Sequence, residues 1–267
     1  MTTSASKPRL ARLADLARAA RTLFLFLLGP ADWAQRRIRG RGRLPPLWLR
    51  RHVGPVGRFE SAAREMTATL DRLALVRPGD LAVDLGCGCG AMAAALGERV
   101  GEAGRYVGVD VHAASIRWCR RRWASDPRFR FEHVAPEAGR LPVADGAAGL
   151  VLAKSLFTHL LEPETRAYLA EIRRVLAPGR RALLTAFLFA GDREPAAFPH
   201  PRRGGASVRW RLASRPRAAV AYERGRFEEL VAAAGLTLTA VVVGFWPGSD
   251  RPPRGQDVLV VERPAEV

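Results

Sequence analysis

Three glycines alternate with small residues in Gly86-Cys87-Gly88-Cys89-Gly90, directly after the apolar segment Leu81–Leu85 with its internal acid, Asp84. Alternate glycines remove the side chains that would keep a ligand off the backbone. Their N–H groups, and the start of the helix expected from Ala91, can then face that ligand. Cys87 fills the same loop as a small residue, and Asp84 can receive or orient a cation. The next apolar segment ends at Asp110. An acid there can accept both ribose hydroxyls of an adenosine. Val111 and His112 follow it. The spacing Gly86-x-Gly88-x-x-Ala91 also fits a dinucleotide fingerprint. A ligand bearing a positive amino group accounts for Asp84 better than a pyrophosphate does.

The elements around this loop alternate. Glu60–Leu75 reads as a helix and Arg77-Pro78-Gly79-Asp80 as a turn. Strands are expected at Leu81–Leu85, Tyr106–Val109, Phe129–Val134, Leu150–Ala153 and Ala182–Phe189. Helices are expected at Ala91–Val100, Ala114–Trp123, Pro163–Leu176 and Phe227–Ala234. Nearly continuous apolar strands alternating with helices imply a parallel sheet covered on both faces. Leu236–Phe245 and Val258–Val261 have no helix between them and suggest an antiparallel terminal pair. Lys154 and Ser155 follow the fourth strand, at the carboxyl edge where open α/β sheets bind ligands. His159 is the best-placed titratable group for a general base; a structural histidine is the competing reading. Tyr222 can face an acceptor or pack.

Charge is concentrated. The chain has 267 residues and a net charge of +17, with 48% hydrophobic residues. That composition suits a folded protein. Residues 1–60 hold 13 basic and 3 acidic side chains, and residues 193–226 hold 9 and 2. The remainder is balanced. Only Lys7 and Lys154 are lysines, an arginine bias of the kind a GC-rich genome produces. Leu10, Leu13, Ala17, Ala20, Phe24 and Leu27 recur at helical spacing with arginines on other faces. Gly29-Pro30 is expected to stop that helix, with a basic, turn-rich stretch from Arg36 to Arg43 beyond it. The amphipathic helix either packs on the body or lies in an anionic membrane surface. The uncharged run Thr22–Ala31 is about half the ~20 residues of a membrane span. No aromatic-interleaved or helix-turn-helix pattern supports nucleic-acid binding. Cys87, Cys89 and Cys119 form no disulfide framework and no zinc spacing, so no metal is expected. With no evident signal peptide, the expected location is cytoplasmic, with a peripheral inner-membrane association as the alternative.

Taken together, these segments resemble the class I S-adenosylmethionine-dependent methyltransferases. Val83–Gly90 is similar to their first motif and Val107–Asp110 to their acid-ended second strand. Residues 141–151, Leu-Pro-Val-Ala-Asp-Gly-Ala-Ala-Gly-Leu-Val, are similar to their approach to the fourth strand. Glu171–Arg180 is similar to their turn before the fifth. Arg51-His52-Val53-Gly54, Ser155–Leu160, Ala221-Tyr222 and Gln256-Asp257-Val258 extend the likeness to a bacterial subgroup of unassigned substrate. The resemblance covers roughly residues 50–263. Where relatives place an acid for the adenine amino group, this chain has Ala135-Pro136; Glu137 is the substitute candidate.

The resemblance implies a doubly wound, mostly parallel, seven-stranded Rossmann-like sheet with an antiparallel terminal strand pair. It implies an N-terminal extension over residues 1–58 and a catalytic domain over 59–267 with a basic insertion at about 190–226. S-adenosyl-L-methionine is the implied cofactor, held by Asp84, Gly86, Cys87, Gly88, Gly90, Asp110, Val111, His112, Glu137, Lys154 and Ser155. His159 and Tyr222 are the candidates on the acceptor side. The implied reaction is direct displacement at the methyl carbon by a small-molecule acceptor. A cofactor-binding protein that has lost turnover, or a nicotinamide-type oxidoreductase, are the alternatives.

Overall fold

The computed structural model describes residues 20, 23–41, 43–53, 56–135, 139–190, 195–202, 205–244 and 255–265. The expected helix over Leu10–Leu27 and the candidate Glu137 therefore lie wholly or largely outside the described residues. The chain forms two compact units, Met1–Ala62 and Ala63–Val267.

Within the first unit, Gly29-Pro30 does not end helical structure. It opens helix α1 (Gly29–Ile38). Proline in a first turn lacks only an N–H that would have no intrahelical partner there. Arg36 and Arg37, expected in a turn, lie in the last turn of this helix. Helix α2 (Leu47–Val53) follows the Pro45-Pro46 stretch. Asp32, 8% exposed, joins the two helices. It accepts bonds from Arg36 Nε at 2.9 Å, Arg50 Nη2 at 2.6 Å and the Leu47 N–H at 3.0 Å. Two of the arginines in this basic stretch are thus committed to the fold.

The second unit contains a seven-stranded sheet in the order β10-β11-β5-β4-β1-β2-β3. Its strands are β1 (Leu81–Leu85), β2 (Arg105–Asp110), β3 (Phe129–His133), β4 (Ala148–Ala153), β5 (Leu176–Ala186), β10 (Thr237–Val242) and β11 (Asp257–Glu262). β1 pairs in parallel with β2 and β4, and β11 is antiparallel to both β5 and β10. Helices cover both faces, and the two-residue period of the strands sorts the side chains between them. Val83, Leu85, Val107, Val109 and Val151 pack with α6 (Glu162–Val175) and α7 (Arg224–Ala233). Ala82, Tyr106, Leu150 and Leu152 pack with α3 (Phe59–Arg72), α4 (Ala93–Val100) and α5 (Ala113–Arg122).

The described residues of the basic insertion contribute strands. With neighbouring residues they build a four-stranded sheet, β6-β9-β8-β7, from β6 (Leu188–Phe189), β7 (His200–Arg202), β8 (Gly205–Trp210) and β9 (Val220–Glu223). Arg209 is buried in it and donates to the Phe198 carbonyl at 2.8 Å and the Pro199 carbonyl at 3.2 Å.

Two stretches quoted above for their family likeness form one clamp. Arg174, on α6, donates to Glu171, to Asp145 and to the carbonyls of Leu141 and Val143, at 2.6–3.1 Å. Glu171 also accepts the Leu141 N–H at 2.6 Å. The segment leading into β4 is thereby pinned to the helix that leads into β5. The paired Arg174 guanidinium holds the Glu171 carboxyl below its usual range.

Candidate functional site

β1 delivers the chain to the carboxyl edge, where Gly86, Gly88 and Gly90 take φ values of +76°, +53° and +77°. This left-handed backbone region is open to glycine at little cost. The glycines differ in what surrounds them. A Cβ on Gly86 would meet only Leu156, at 3.8 Å, whereas one on Gly90 would lie 2.8 Å from the Trp123 ring. Gly86 therefore keeps an unobstructed side, and Gly90 makes room for an aromatic packed beneath the loop.

Asp110, at the end of β2, ties this loop to the next helix. Its Oδ2 accepts the Gly88 N–H at 2.7 Å and its Oδ1 accepts the His112 N–H at 2.7 Å. A carboxylate has about four acceptor positions, so each oxygen retains capacity for a ligand hydroxyl. His112 lies at the N-cap of α5, its Nδ1 2.8 Å from Ser115 Oγ. Val111 is 47% exposed beside it, and its carbonyl accepts from His133 Nε2 at 3.1 Å.

Asp84 sits elsewhere than its sequence position suggested. The pleat turns it to the same face as Ala82, toward α4 and α5, and it is 2% exposed. The Tyr106 hydroxyl donates to Asp84 Oδ2 at 2.7 Å. Burial pushes the Asp84 carboxyl up to about 6, against the opposing pull of Tyr106 and of Lys154. The acid's bond is to Tyr106, and its buried side chain supports the loop from below.

Cys87, Cys89 and Cys119 are all buried. Burial, and then the nearby carboxylates of Asp84 and Asp110, hold the Cys87 thiol well above its usual range. A protonated, enclosed thiol is a filler and not a nucleophile. Among the described residues, no group of three or more His, Cys, Asp or Glu side chains could hold a metal ion.

The two acceptor-side candidates part company. Tyr222 is fully buried; its hydroxyl donates to the Leu160 carbonyl at 3.0 Å and lies 2.9 Å from Thr165 Oγ1. It packs, so the reading of Tyr222 as an acceptor-facing group is withdrawn. His159 is exposed, with Nδ1 2.9 Å from the Arg217 carbonyl. A carbonyl only accepts, so the proton resides on Nδ1 and Nε2 is the basic nitrogen.

Ser155, just past β4, takes φ +63°. Such a conformation is uncommon outside glycine and persists where surrounding bonds enforce it. Here the Ser155 N–H donates to Thr185 Oγ1 at 2.7 Å, and the Thr158 hydroxyl donates to the Ser155 carbonyl at 2.7 Å. Tyr106, Leu156, Thr185 and Gln256 complete the surroundings of the loop and of Ser155. Apart from Leu156 and Gln256 as parts of quoted motifs, sequence reasoning assigned them no place.

Residues 82–179 match the family model described as "Methyltransferase domain". Over 142 residues, 47% of this chain, the sequence is 32% identical to an uncharacterized 37.1 kDa protein in transposon TN4556 of Streptomyces fradiae, covering 40% of that protein. It is 31% identical over 112 residues to an arsenite methyltransferase of Halobacterium salinarum, covering 42% of this chain and 28% of that one. The chain thus spans less than half the length of these curated relatives. The fold is shared with a solved S-adenosylmethionine-dependent methyltransferase from Methanosarcina mazei, with a TM-score of 0.56 and 16% identity over 73% of this chain and 97% of that chain.

Proposed function

We propose, from the premise that this chain carries a class I S-adenosylmethionine-dependent methyltransferase domain, that it methylates a small-molecule acceptor. The observation that carries the reading is Asp110, whose two oxygens clasp the glycine loop and the start of α5 while retaining room for vicinal hydroxyls. The unobstructed side of Gly86 fits the same ligand. When bound, S-adenosylmethionine supplies an electrophilic methyl carbon: an acceptor lone pair forms the new bond as the C–S pair returns to sulfur, leaving S-adenosylhomocysteine. The protein's share is alignment and exclusion of water. Gly86–Gly90 and Asp110 seat the nucleoside, Leu156 closes against the loop, and Val111 and His112 flank it. The charge of Lys154 draws Asp84 toward its ionised form. His159 Nε2 takes the proton of an acceptor that must lose one. The arsenite methyltransferase relative supports an acceptor of small size.

Calorimetry of the full chain tests the cofactor assignment. S-adenosylhomocysteine is expected to bind and nicotinamide dinucleotides are not. The reverse preference would overturn it.

A second part of the reading concerns residues 23–41. Leu23, Phe24, Phe26, Leu27, Trp33 and Ile38 are each between 54% and 86% exposed. The Arg37 guanidinium lies over the Trp33 ring at 5.1 Å. Exposed aromatics and leucines beside arginines are the chemistry of a helix lying in an anionic lipid surface. No helix among the described residues is long and apolar enough to cross a membrane.

A further inference from the structure

Two hydroxyls converge on a single oxygen at the carboxyl edge of the sheet. Ser155 Oγ donates to Gln256 Oε1 at 3.1 Å, and Thr185 Oγ1 donates to the same atom at 2.5 Å. Three elements meet there. Ser155 follows β4, the strand paired with the loop-bearing β1. Thr185 is near the end of β5 and 2% exposed. Gln256 directly precedes β11. Because β11 is antiparallel to β5, its first residue, Asp257, pairs with Ala186, and Gln256 arrives where the parallel strands finish. Asp257 fixes this start of β11 by accepting the N–H groups of Leu188 at 2.7 Å and Gly244 at 2.9 Å.

The consequence is an oriented amide. Both hydroxyl protons are spent on Oε1, so the Gln256 carbonyl faces inward. Its NH₂ has no partner among the described residues, although the side chain is half-buried. The neighbouring Ser155 holds a strained backbone through bonds to Thr185 and Thr158. Leu156, the next residue, is the one that touches the position of a Gly86 Cβ. The amide, reaching from the start of β11, is therefore held at the ends of β5 and β4, and β4 adjoins the strand that bears the cofactor loop.

We infer that the Gln256 amide is the specificity-determining donor on the acceptor side, selecting a substrate that presents a carbonyl or carboxylate oxygen. This rests on the methyltransferase reading of the loop. A donor pair fixed in place loses little entropy on binding, and an acceptor without the matching oxygen leaves it unpaired. Ser155 and Thr185 are positioning residues, since they act through Gln256.

Two probes of one skeleton test this: 3-hydroxyacetophenone and 3-ethylphenol, which lacks the ketone oxygen. They are titrated into ¹⁵N-labelled full chain saturated with S-adenosylhomocysteine. The Gln256 side-chain amide signals are identified by their disappearance in Gln256→Glu. That variant keeps an oxygen for both hydroxyls and removes the N–H pair, so a purely structural role would leave it unchanged. The ketone is expected to shift the Gln256 signals and to bind about tenfold more tightly than the ethylphenol. Gln256→Glu is expected to abolish that preference without altering S-adenosylhomocysteine affinity. Unshifted signals, an unchanged preference in the variant, or binding of neither probe to cofactor-loaded protein would each overturn the inference. Failure of S-adenosylhomocysteine to bind the unaltered chain is a separate result; it removes the cofactor reading, and the role of Gln256 with it.

Discussion

The carboxylate of Asp110 accepts the backbone N–H of Gly88 at 2.7 Å, so the acid that ends β2 also holds the shape of the loop that follows β1. Substitutions at this residue separate the two roles. Asp110→Asn keeps an acceptor for one N–H and weakens the bonds to ligand hydroxyls. Asp110→Ala removes all of them. Charge-assisted hydrogen bonds contribute about 1.5–3 kcal/mol each. Calorimetric affinity for S-adenosylhomocysteine is expected to fall about tenfold in the first variant and about 100-fold or more in the second. Unchanged affinity in Asp110→Ala would move the ribose site elsewhere.

Asp84 sets a dependence of stability on pH. Its carboxyl titrates near 4 when unfolded and at about 6 in the folded chain, where burial is the dominant cause. The native state therefore binds this proton more tightly. The stabilising contribution is full below pH 4 and is lost as pH rises through 6. Asp84→Asn keeps an acceptor for Tyr106 and removes the titration. Urea unfolding at pH 4 and pH 7 is expected to show the variant gaining about 1–3 kcal/mol relative to the parent across that interval.

Arg174 is expected to be irreplaceable by lysine. Its planar fork serves two carboxylates and two carbonyls at once, which a single ammonium cannot reproduce. Arg174→Lys should cost about 1–2 kcal/mol and Arg174→Ala about 2–4 kcal/mol, read from denaturant midpoints. Equal midpoints for all three proteins would mean that the clamp contributes nothing to stability.

Gly86→Ala and Gly90→Ala test the division of labour in the loop. Both carry the strain of positive φ, about 1 kcal/mol. Only Gly90→Ala also drives a methyl against Trp123, which adds about 1–3 kcal/mol. Thermal melts should rank Gly90→Ala well below Gly86→Ala. S-adenosylhomocysteine affinity should show the larger direct loss in Gly86→Ala once both are measured well below their midpoints.

Lipid association is read by sedimentation of the full chain with phosphatidylglycerol vesicles. Binding is expected at low salt and weakens as salt rises, because surface electrostatics are screened. Replacing Phe26 and Leu27 together by serine should lower it about tenfold or more, since each exposed apolar side chain contributes on the order of 1 kcal/mol or more when it enters the interface. Retention of the parent chain in the supernatant at every salt concentration would exclude a lipid role.

The seven-stranded sheet was legible because its inner strands are short, nearly unbroken apolar runs bounded by glycine and proline turns. The small sheet was not. His200–Arg202 is only three residues and contains a proline, and the short alternation of Ala206, Val208 and Trp210 follows directly on arginines and glycines that read as a turn. Arg209, in that strand, is buried with bonds to the Phe198 and Pro199 carbonyls. Asp84 was legible as an acid in an apolar strand. Its two-residue period, however, does not say which face of the sheet the ligand approaches. Tyr106 occupies the same face on the next strand, and no local signal links the two. Gln256 was part of a quoted motif without a role, because its place follows from the antiparallel direction of β11.

That direction also governs the order of assembly. β11 lies between β5 and β10, yet it is translated after both. A nascent chain that has emerged only as far as β10 offers β5 an unfilled edge and leaves β10 with no strand to pair with. The half-sheet of β1 to β5 can form first from near neighbours, whereas β10 must wait for a segment about 20 residues further on, a closure that slows folding. Until the ribosome releases residues 257–262, the amide of Gln256 has no fixed position.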